Sequence, residues 1–289
     1  MTSVSSNIKI LKDARFDDTL SNRYELVLSI AACKYVAIIF DSFENRFVCL
    51  YEFSTGEYLS LQETKHLLES FISEQFGKIA FKKITTLFVT PKITLVPDAV
   101  FDASHVQSFF EFDHFRDGDE TIEYSFVRNG AMYMIYSIPQ WIKEIVLRKF
   151  PNTVFAPHSH SLIDSILLLN KNKISLSKLY INIEKDFFDV IVIGNGNLQL
   201  YNSFAYSNSK DFMYFLMNVY EQLKLNPEVH PITCMGLISI DSEIITQARQ
   251  FIKNINFISY RDEMQRFSYV FDEVSPIHYV SLLNSISCV

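Results

Sequence analysis

Few residues in this chain have the type and spacing to do chemistry. His158-Ser159-His160 comes nearest to a metal motif, because two histidines at i, i+2 on one strand would point the same way. They lie beside Pro157 and just before Ser161, with no third ligand near in sequence, so the pattern reads as a polar loop at a helix start. His105 and His114 stand among Asp102, Asp113, Asp117, Asp119 and Glu120. Such a set could hold a divalent cation, but it has no spaced ligand motif and reads as a solvated acidic loop. Gly194-Asn195-Gly196-Asn197 offers a GxG, a weak phosphate signal, and predicts a hairpin turn between antiparallel strands. No GxSxG or other nucleophile motif is present.

Bulk composition narrows the classes further. The formal net charge is -7 and no Lys/Arg block stands out, so the basic face that nucleic-acid binding needs is missing. No apolar run approaches the about 18 residues of a membrane span, and the polar N-terminus lacks a signal core. Cys33, Cys49, Cys234 and Cys288 sit in apolar segments without CxxC spacing, which predicts reduced, buried thiols and a cytoplasmic protein. With 26 Phe and 15 Tyr in 289 residues, the chain can build a large aromatic core and still leave an apolar patch for a partner.

These residues must be carried by alternating strands and helices. Residues 1–23 read as an arm or short edge element. Residues 24–29, 34–40 and 47–53 form a three-strand meander. Ser60 and Glu63 make a capping box for a helix, and residues 83–90 form a strand that Pro91 stops. Residues 97–118 predict a short helix and a loop. Asn129-Gly130 between apolar runs predicts a hairpin over 122–138. Pro139 opens a helix with Trp141, Ile142, Ile145 and Val146 inward, 153–156 is a short strand, and Ser161 with Asp164 caps the next helix. Strands follow at 179–183, 189–193 and 198–204. Ser209 caps a helix, 231–238 is a strand, Asp241 caps another helix, and Ser275-Pro276 opens the last one.

The pattern repeats. With Ser29-Ile30-Ala31 placed over Asn182-Ile183-Glu184, Tyr35 falls on Phe188, Ala37 on Val190, Ile38 on Ile191 and Ile39 on Val192. Leu50-Tyr51 then meets Leu200-Tyr201 after a shorter turn, and a helix follows in each half.

Two halves that each open with strand, strand, strand, helix resemble the actin-like ATPase fold of the ribonuclease H-like group. The resemblance spans about residues 24–288. It is closest to type IV pilus assembly actin-like proteins, the cytoplasmic domain of the type II secretion L protein, and a Bacteroidetes family described as a domain of unknown function with an actin-like structure. It implies an α/β protein of two duplicated mixed-sheet lobes with flanking helices. The first spans 1–175, with an aromatic-rich insertion at about 97–138. The second spans 176–289, with a hinge near 175 and a cleft between the two.

It also implies where a nucleotide would sit. The first phosphate loop of the fold, Asp-x-Gly, matches Ser29-Ile30-Ala31, and the second matches Asn182-Ile183-Glu184. Hydroxyl and amide replace the two carboxylates, and Ala and Glu replace the glycines that let backbone N–H groups approach phosphate. The adenosine loop keeps only Gly236 of its glycine pair. Phosphoryl transfer depends on magnesium and positioned charge, and magnesium prefers carboxylates plus phosphates. The expectation is therefore a non-catalytic protein with no cofactor, its degenerate cleft lined by Ser29, Ala31, Asn182, Glu184 and Gly236. The alternative is a nucleotide-binding ATPase with atypical phosphate loops. The non-catalytic reading implies a protein–protein scaffold. Phe109, Phe110, Phe112 and Phe115 either wrap into a core with the Asn129-Gly130 hairpin or form a partly exposed aromatic patch, and in the second case they are the candidate contact residues. The partner is an unidentified protein or a second copy of the chain.

Overall fold

Runs of β-branched and aromatic residues separated by short polar turns should pair with their neighbours, and in the computed structural model, which describes residues 7–173 and 176–288, they do. The edge strand β1 (Asn7–Lys12) is followed by β2 (Tyr24–Ala31), β3 (Lys34–Asp41) and β4 (Arg46–Ser54). Helix α1 (Leu61–Phe76) leads to β5 (Lys83–Phe88). The expected capping box is present: Ser60 accepts from the Glu63 N–H, and the Glu63 carboxylate accepts from the Ser60 N–H. An insertion of β6 (Ile93–Pro97), α2 (Val106–Asp113), β7 (Glu120–Val127) and β8 (Met132–Pro139) precedes α3 (Gln140–Lys149), β9 (Val154–Pro157) and α4 (His158–Asn170). The second half runs β10 (Lys178–Ile183), β11 (Phe187–Gly194), β12 (Asn197–Ala205), α5 (Ser209–Gln222), β13 (Ile232–Gly236), α6 (Glu243–Ala248), β14 (Ile255–Phe257) and α7 (Val280–Cys288).

Three sheets result, in the orders β1-β4-β3-β2-β5-β9, β12-β11-β10-β13-β14 and β6-β8-β7. The two large sheets share one plan: an antiparallel meander whose first strand is joined on its other side by a parallel strand returning from a helix. Their registers coincide. Ser29↔Val36 falls on Asn182↔Asp189, and Leu28↔Ala37 on Ile181↔Val190. Even the bulges match, at Ile39/Phe40 and at Val192/Ile193. The third strands are a residue off the sequence alignment. Ile38 pairs with Leu50 while Ile191 pairs with Tyr201, so Leu50 corresponds to Tyr201 and not to Leu200. With a side-chain period of two, that slip exchanges the faces.

Helix α4 is buried on most sides between the large sheets, although it carries polar residues such as His158, Ser161 and Asp164. Leu162, Ile163 and Ile166 share one core with Leu28 and Ile30 of β2 and with Tyr180 and Ile191 of the second sheet. Helix α7 packs on α4, and the terminal segment returns to the first sheet, where Phe267, Phe271, Leu282 and Leu283 cover Val27, Ile38 and Leu50. Helices α5 and α6 cover the outer face of the second sheet through Phe212, Leu216, Val219 and Ile245. The expected hinge near 175 lies outside the described residues.

Several local expectations need correction. Ser161 and Asp164 do not cap α4, which starts at His158 directly after Pro157. Both are buried inside the helix, where Ser161 donates to the Ser281 carbonyl at 2.7 Å and Asp164 accepts from the Asn129 backbone N–H at 2.8 Å. Asn208, not Ser209, caps α5, and Ser242, not Asp241, caps α6. The β7–β8 hairpin forms, but its left-handed residue is Ala131 (φ 47) rather than the Asn-Gly pair. A Cβ at Gly130 would lie 2.6 Å from the Met132 methyl and 3.1 Å from Leu167 on α4, the far ends of flexible side chains that can move aside. Asn195 and Gly196 do form the expected tight turn, at φ 52 and 78. Strands β6 and β14 were not anticipated.

Candidate functional site

The β2–β3 and β10–β11 turns face each other across a cleft of about 430 Å³. Its walls are mostly apolar: Ala31 and Ala32 from the first turn, Val89 and Pro91 after β5, Phe187 and Leu237 from the second half. Of the five residues expected to line it, Ala31 and Glu184 do so. Ser29 and Asn182 are buried in β2 and β10 and do not line it. Gly236 sits under the floor at φ 87, where a Cβ would lie 2.3 Å from the Ile183 carbonyl oxygen, so the residue is fixed by a close crossing of two backbones.

Polar groups from both halves meet in this cleft. Lys185, on the β10–β11 turn, donates to the Gly56 carbonyl at 2.9 Å, reaches the Cys33 sulfur at 3.4 Å and lies 4.6 Å over the Tyr58 ring. The Tyr58 hydroxyl in turn donates to the Asp186 carboxylate. The second phosphate-loop position is thus occupied by a latch that ties the β10–β11 turn to the loop after β4. On the first side, Lys34 is held by Glu52 at 3.1 Å, and Glu52 also accepts from Tyr279 at 2.7 Å.

Beneath the floor lies a buried charged network. His158, the first residue of α4, meets Asp189 of β11 at 2.8 Å, both fully buried. The same Asp189 oxygen accepts from Asn182 Nδ2 at 3.0 Å, and the other accepts from Tyr201 at 3.0 Å and Ser203 at 2.6 Å. Four donors therefore fill the four lone-pair positions of this carboxylate. Burial alone would lower the His158 pKa, but Asp189, Glu184 and the Phe88 carbonyl outweigh it and hold the imidazole above its ordinary value. Burial would raise Asp189, and His158 with the hydroxyl and amide donors overcomes it, so this carboxylate is held below its usual range. Glu184 is pushed up by burial, although His158 opposes the shift, and it accepts from Asn182 at 3.2 Å.

The carboxylates near the cleft are all engaged. Glu184 is bound by Asn182, Asp186 by Tyr58, and Asp189 lies beneath, saturated. Among the described residues, no group of three His, Cys, Asp or Glu side chains could hold a metal ion. His158 and His160 are helical and buried, not loop residues, and they diverge: His160 bonds the Phe126 carbonyl at 3.1 Å. Cys33, Cys49 and Cys234 are free and buried, and burial pushes the Cys49 and Cys234 thiols up to about 12.

The latch and the His158–Asp189 pair escaped sequence reasoning because each joins segments far apart in the chain. One signal was legible: Asp189 is the sole charged residue in an otherwise apolar strand. Among the aromatic candidates, Phe110 is fully buried against Val96, Val106 and Ile135, so it is a core residue and not a contact residue. Phe109 packs on that core, while Phe112 and Phe115 are 88% and 93% exposed. No helix among the described residues is long and apolar enough to cross a membrane.

Comparison with known proteins agrees with the architecture. A Bacteroides thetaiotaomicron protein with an actin-like ATPase fold and unknown function superposes with a TM-score of 0.81 at 20% identity, covering 96% of this chain and 100% of that one. A PilM–PilN type IV pilus biogenesis complex superposes at 0.53 and 8% identity, covering 90% and 96%. Among curated proteins none matches the sequence. The sequence model of the family described as "Protein of unknown function (DUF3822)" matches residues 13–255, and the chain belongs to that family, with an actin-like ATPase fold.

Proposed function

We propose that this chain is a non-catalytic actin-like protein that works by binding another protein. The observation that carries this reading is the state of the two phosphate-loop positions. Ser29 and Asn182 offer no carboxylate to the cleft, the Asn182 amide is consumed by Asp189 and Glu184, and Lys185 and Asp186 are engaged with Gly56 and Tyr58. A magnesium–nucleotide complex would meet acidic groups, Glu184 and Asp186, that are already hydrogen-bonded to Asn182 and Tyr58, and would find Ala31 and Glu184 where phosphate loops carry glycine. What remains on offer is surface. Phe112 and Phe115 project from the insertion at the end of α2, and aromatic anchors dominate interface energetics. The PilM–PilN structure, in which a protein of this fold is held in a complex, supports the same reading by analogy of fold.

The alternative, a nucleotide binder with atypical loops, is favoured by the cleft volume and by Lys185, which has no carboxylate partner among the described residues. Affinity capture from the native cell, comparing wild type with Phe112→Ser/Phe115→Ser, tests the main reading. It expects a specific partner that the folded double variant loses. A variant that retains every partner contradicts it.

A further inference from the structure

The insertion differs in charge from the rest of the molecule. Residues 93–139 hold eight carboxylates against two arginines, Arg116 and Arg128, so a net of -6 out of the chain's formal -7 sits on this one segment. Lys92 neutralises Asp117 and Glu120 at 2.7 and 3.2 Å, and Lys143 pairs with Glu123. Asp98, Glu111, Asp113 and Asp119 have no cationic partner among the described residues; Glu111 accepts only from the Gln107 amide. Glu111 and Asp113 flank Phe112 directly in α2, and Phe115 follows two residues later. Two nearly fully exposed phenylalanines thus stand beside carboxylates that have no cationic partner among the described residues.

Each feature constrains the occupant. Roughly 350 Å² of aromatic surface from two such side chains is the size of the largest patches on monomeric proteins, which are often functional. The surrounding charge excludes anionic partners such as nucleic acid or an acidic lipid surface, which would be repelled at the distances where exposed charges act. It also disfavours a second copy docking through the same surface, because two acidic surfaces would still meet after Lys92 and Lys143 are counted. A guanidinium or ammonium fits both features, since it pairs with carboxylates and is attracted to the face of a phenylalanine ring.

We infer that Phe112, Phe115, Glu111 and Asp113 form the docking surface for a cationic protein segment, one that carries arginine or lysine beside apolar side chains. This deepens the proposed function and rests on the insertion being the partner-binding surface. Complementary charge steers encounter and aligns the segment, and the two rings anchor it. Affinity must therefore fall as salt rises.

Fluorescence anisotropy of a labelled peptide alternating arginine and leucine tests this on the full chain. Wild type is expected to bind it, and not the same peptide with glutamate in place of arginine. Glu111→Gln/Asp113→Asn and Phe112→Ser/Phe115→Ser should each weaken binding about tenfold. All four positions are solvent-facing, so unchanged thermal melting will show that the variants remain folded. Asp272→Asn/Glu273→Gln removes the same charge from an exposed site outside the insertion and should leave affinity unchanged. No binding by wild type, equal weakening by that control, or full affinity in Glu111→Gln/Asp113→Asn overturns the inference. The capture experiment is independent of it: a partner lost by Phe112→Ser/Phe115→Ser but kept by Glu111→Gln/Asp113→Asn would leave the surface in place and refute only the cationic occupant.

Discussion

Replacing Asp189 by Asn should remove the charge from the buried pair under the cleft while leaving its shape intact. The new amide can turn its oxygen toward His158 and Asn182 and its NH2 toward Tyr201 and Ser203, whose hydroxyls accept as well as donate. The four hydrogen bonds then survive, and the loss is that of the carboxylate opposite a fully buried imidazolium. Breaking a buried pair costs about 3–5 kcal/mol, and because His158 can escape by giving up its proton, the lower end, about 3 kcal/mol, is expected. At this chain length each kcal/mol moves the melting point by about 2 °C, so a fall of about 6 °C should be seen. The pH dependence has a definite sign. His158 has its folded pKa raised above 6.5, so its contribution is complete below that value and disappears as pH rises through the higher folded pKa. Asp189 is lowered from 3.8, so its contribution holds above that value and is lost only as pH falls through the lower folded pKa. Denaturant unfolding at several pH values should therefore show a gap between wild type and Asp189→Asn that is widest between pH 3.8 and 6.5 and narrows as pH rises further through the folded pKa of His158. A gap below about 1 kcal/mol at about pH 6, or one that widens as pH rises beyond 6.5, would refute this reasoning.

Gly236→Ala forces a Cβ within 2.3 Å of the Ile183 oxygen at φ 87 and should cost more than about 2 kcal/mol in denaturant unfolding; a loss under about 1 kcal/mol would show that the crossing can relax. Phe110→Ala should destabilise the chain by about 3–5 kcal/mol and Phe112→Ala by less than about 0.5, read from the same curves. Lys185→Met cuts the contacts to Gly56, Cys33 and Tyr58, so amide exchange in the loop after β4 should speed up while the strands stay protected; unchanged exchange would mean that the latch holds nothing.

Features written in adjacent residues were legible. The Ser60–Glu63 capping box and the Asn195-Gly196 turn are local chemistry, and each forms as read. The duplication was legible because the first hairpin of each half keeps the same register, so Tyr35 and Phe188 share a parity that sequence preserves. The third strands lie one residue off the sequence alignment because the Leu50/Leu200 identity implies a larger shortening of the preceding turn than the pairs Asp41↔Arg46 and Gly194↔Asn197 show, while the bulges are the same in both halves. Cap positions failed where two polar residues stand side by side, as at Asn208-Ser209 and Asp241-Ser242, because either has the chemistry. Five-residue β6 and three-residue β14 are too short for periodicity to reveal. At the site, the missing loop carboxylates could be read from the sequence. The saturation of Asp189 by residues of β10, β12 and α4 could not, nor could the reach of Lys185 to Gly56, because both depend on which segments the fold brings together.

Thermal melting of the full chain with and without magnesium–ATP tests the central claim most directly, that the cleft no longer accepts a magnesium nucleotide. A ligand present at a hundred times its dissociation constant stabilises by about 2.7 kcal/mol, which at this size raises the melting point by about 5 °C. The engaged Lys185, Asp186 and Asn182 predict no shift up to millimolar magnesium–ATP. A saturable rise of several degrees that requires both magnesium and nucleotide would contradict the account.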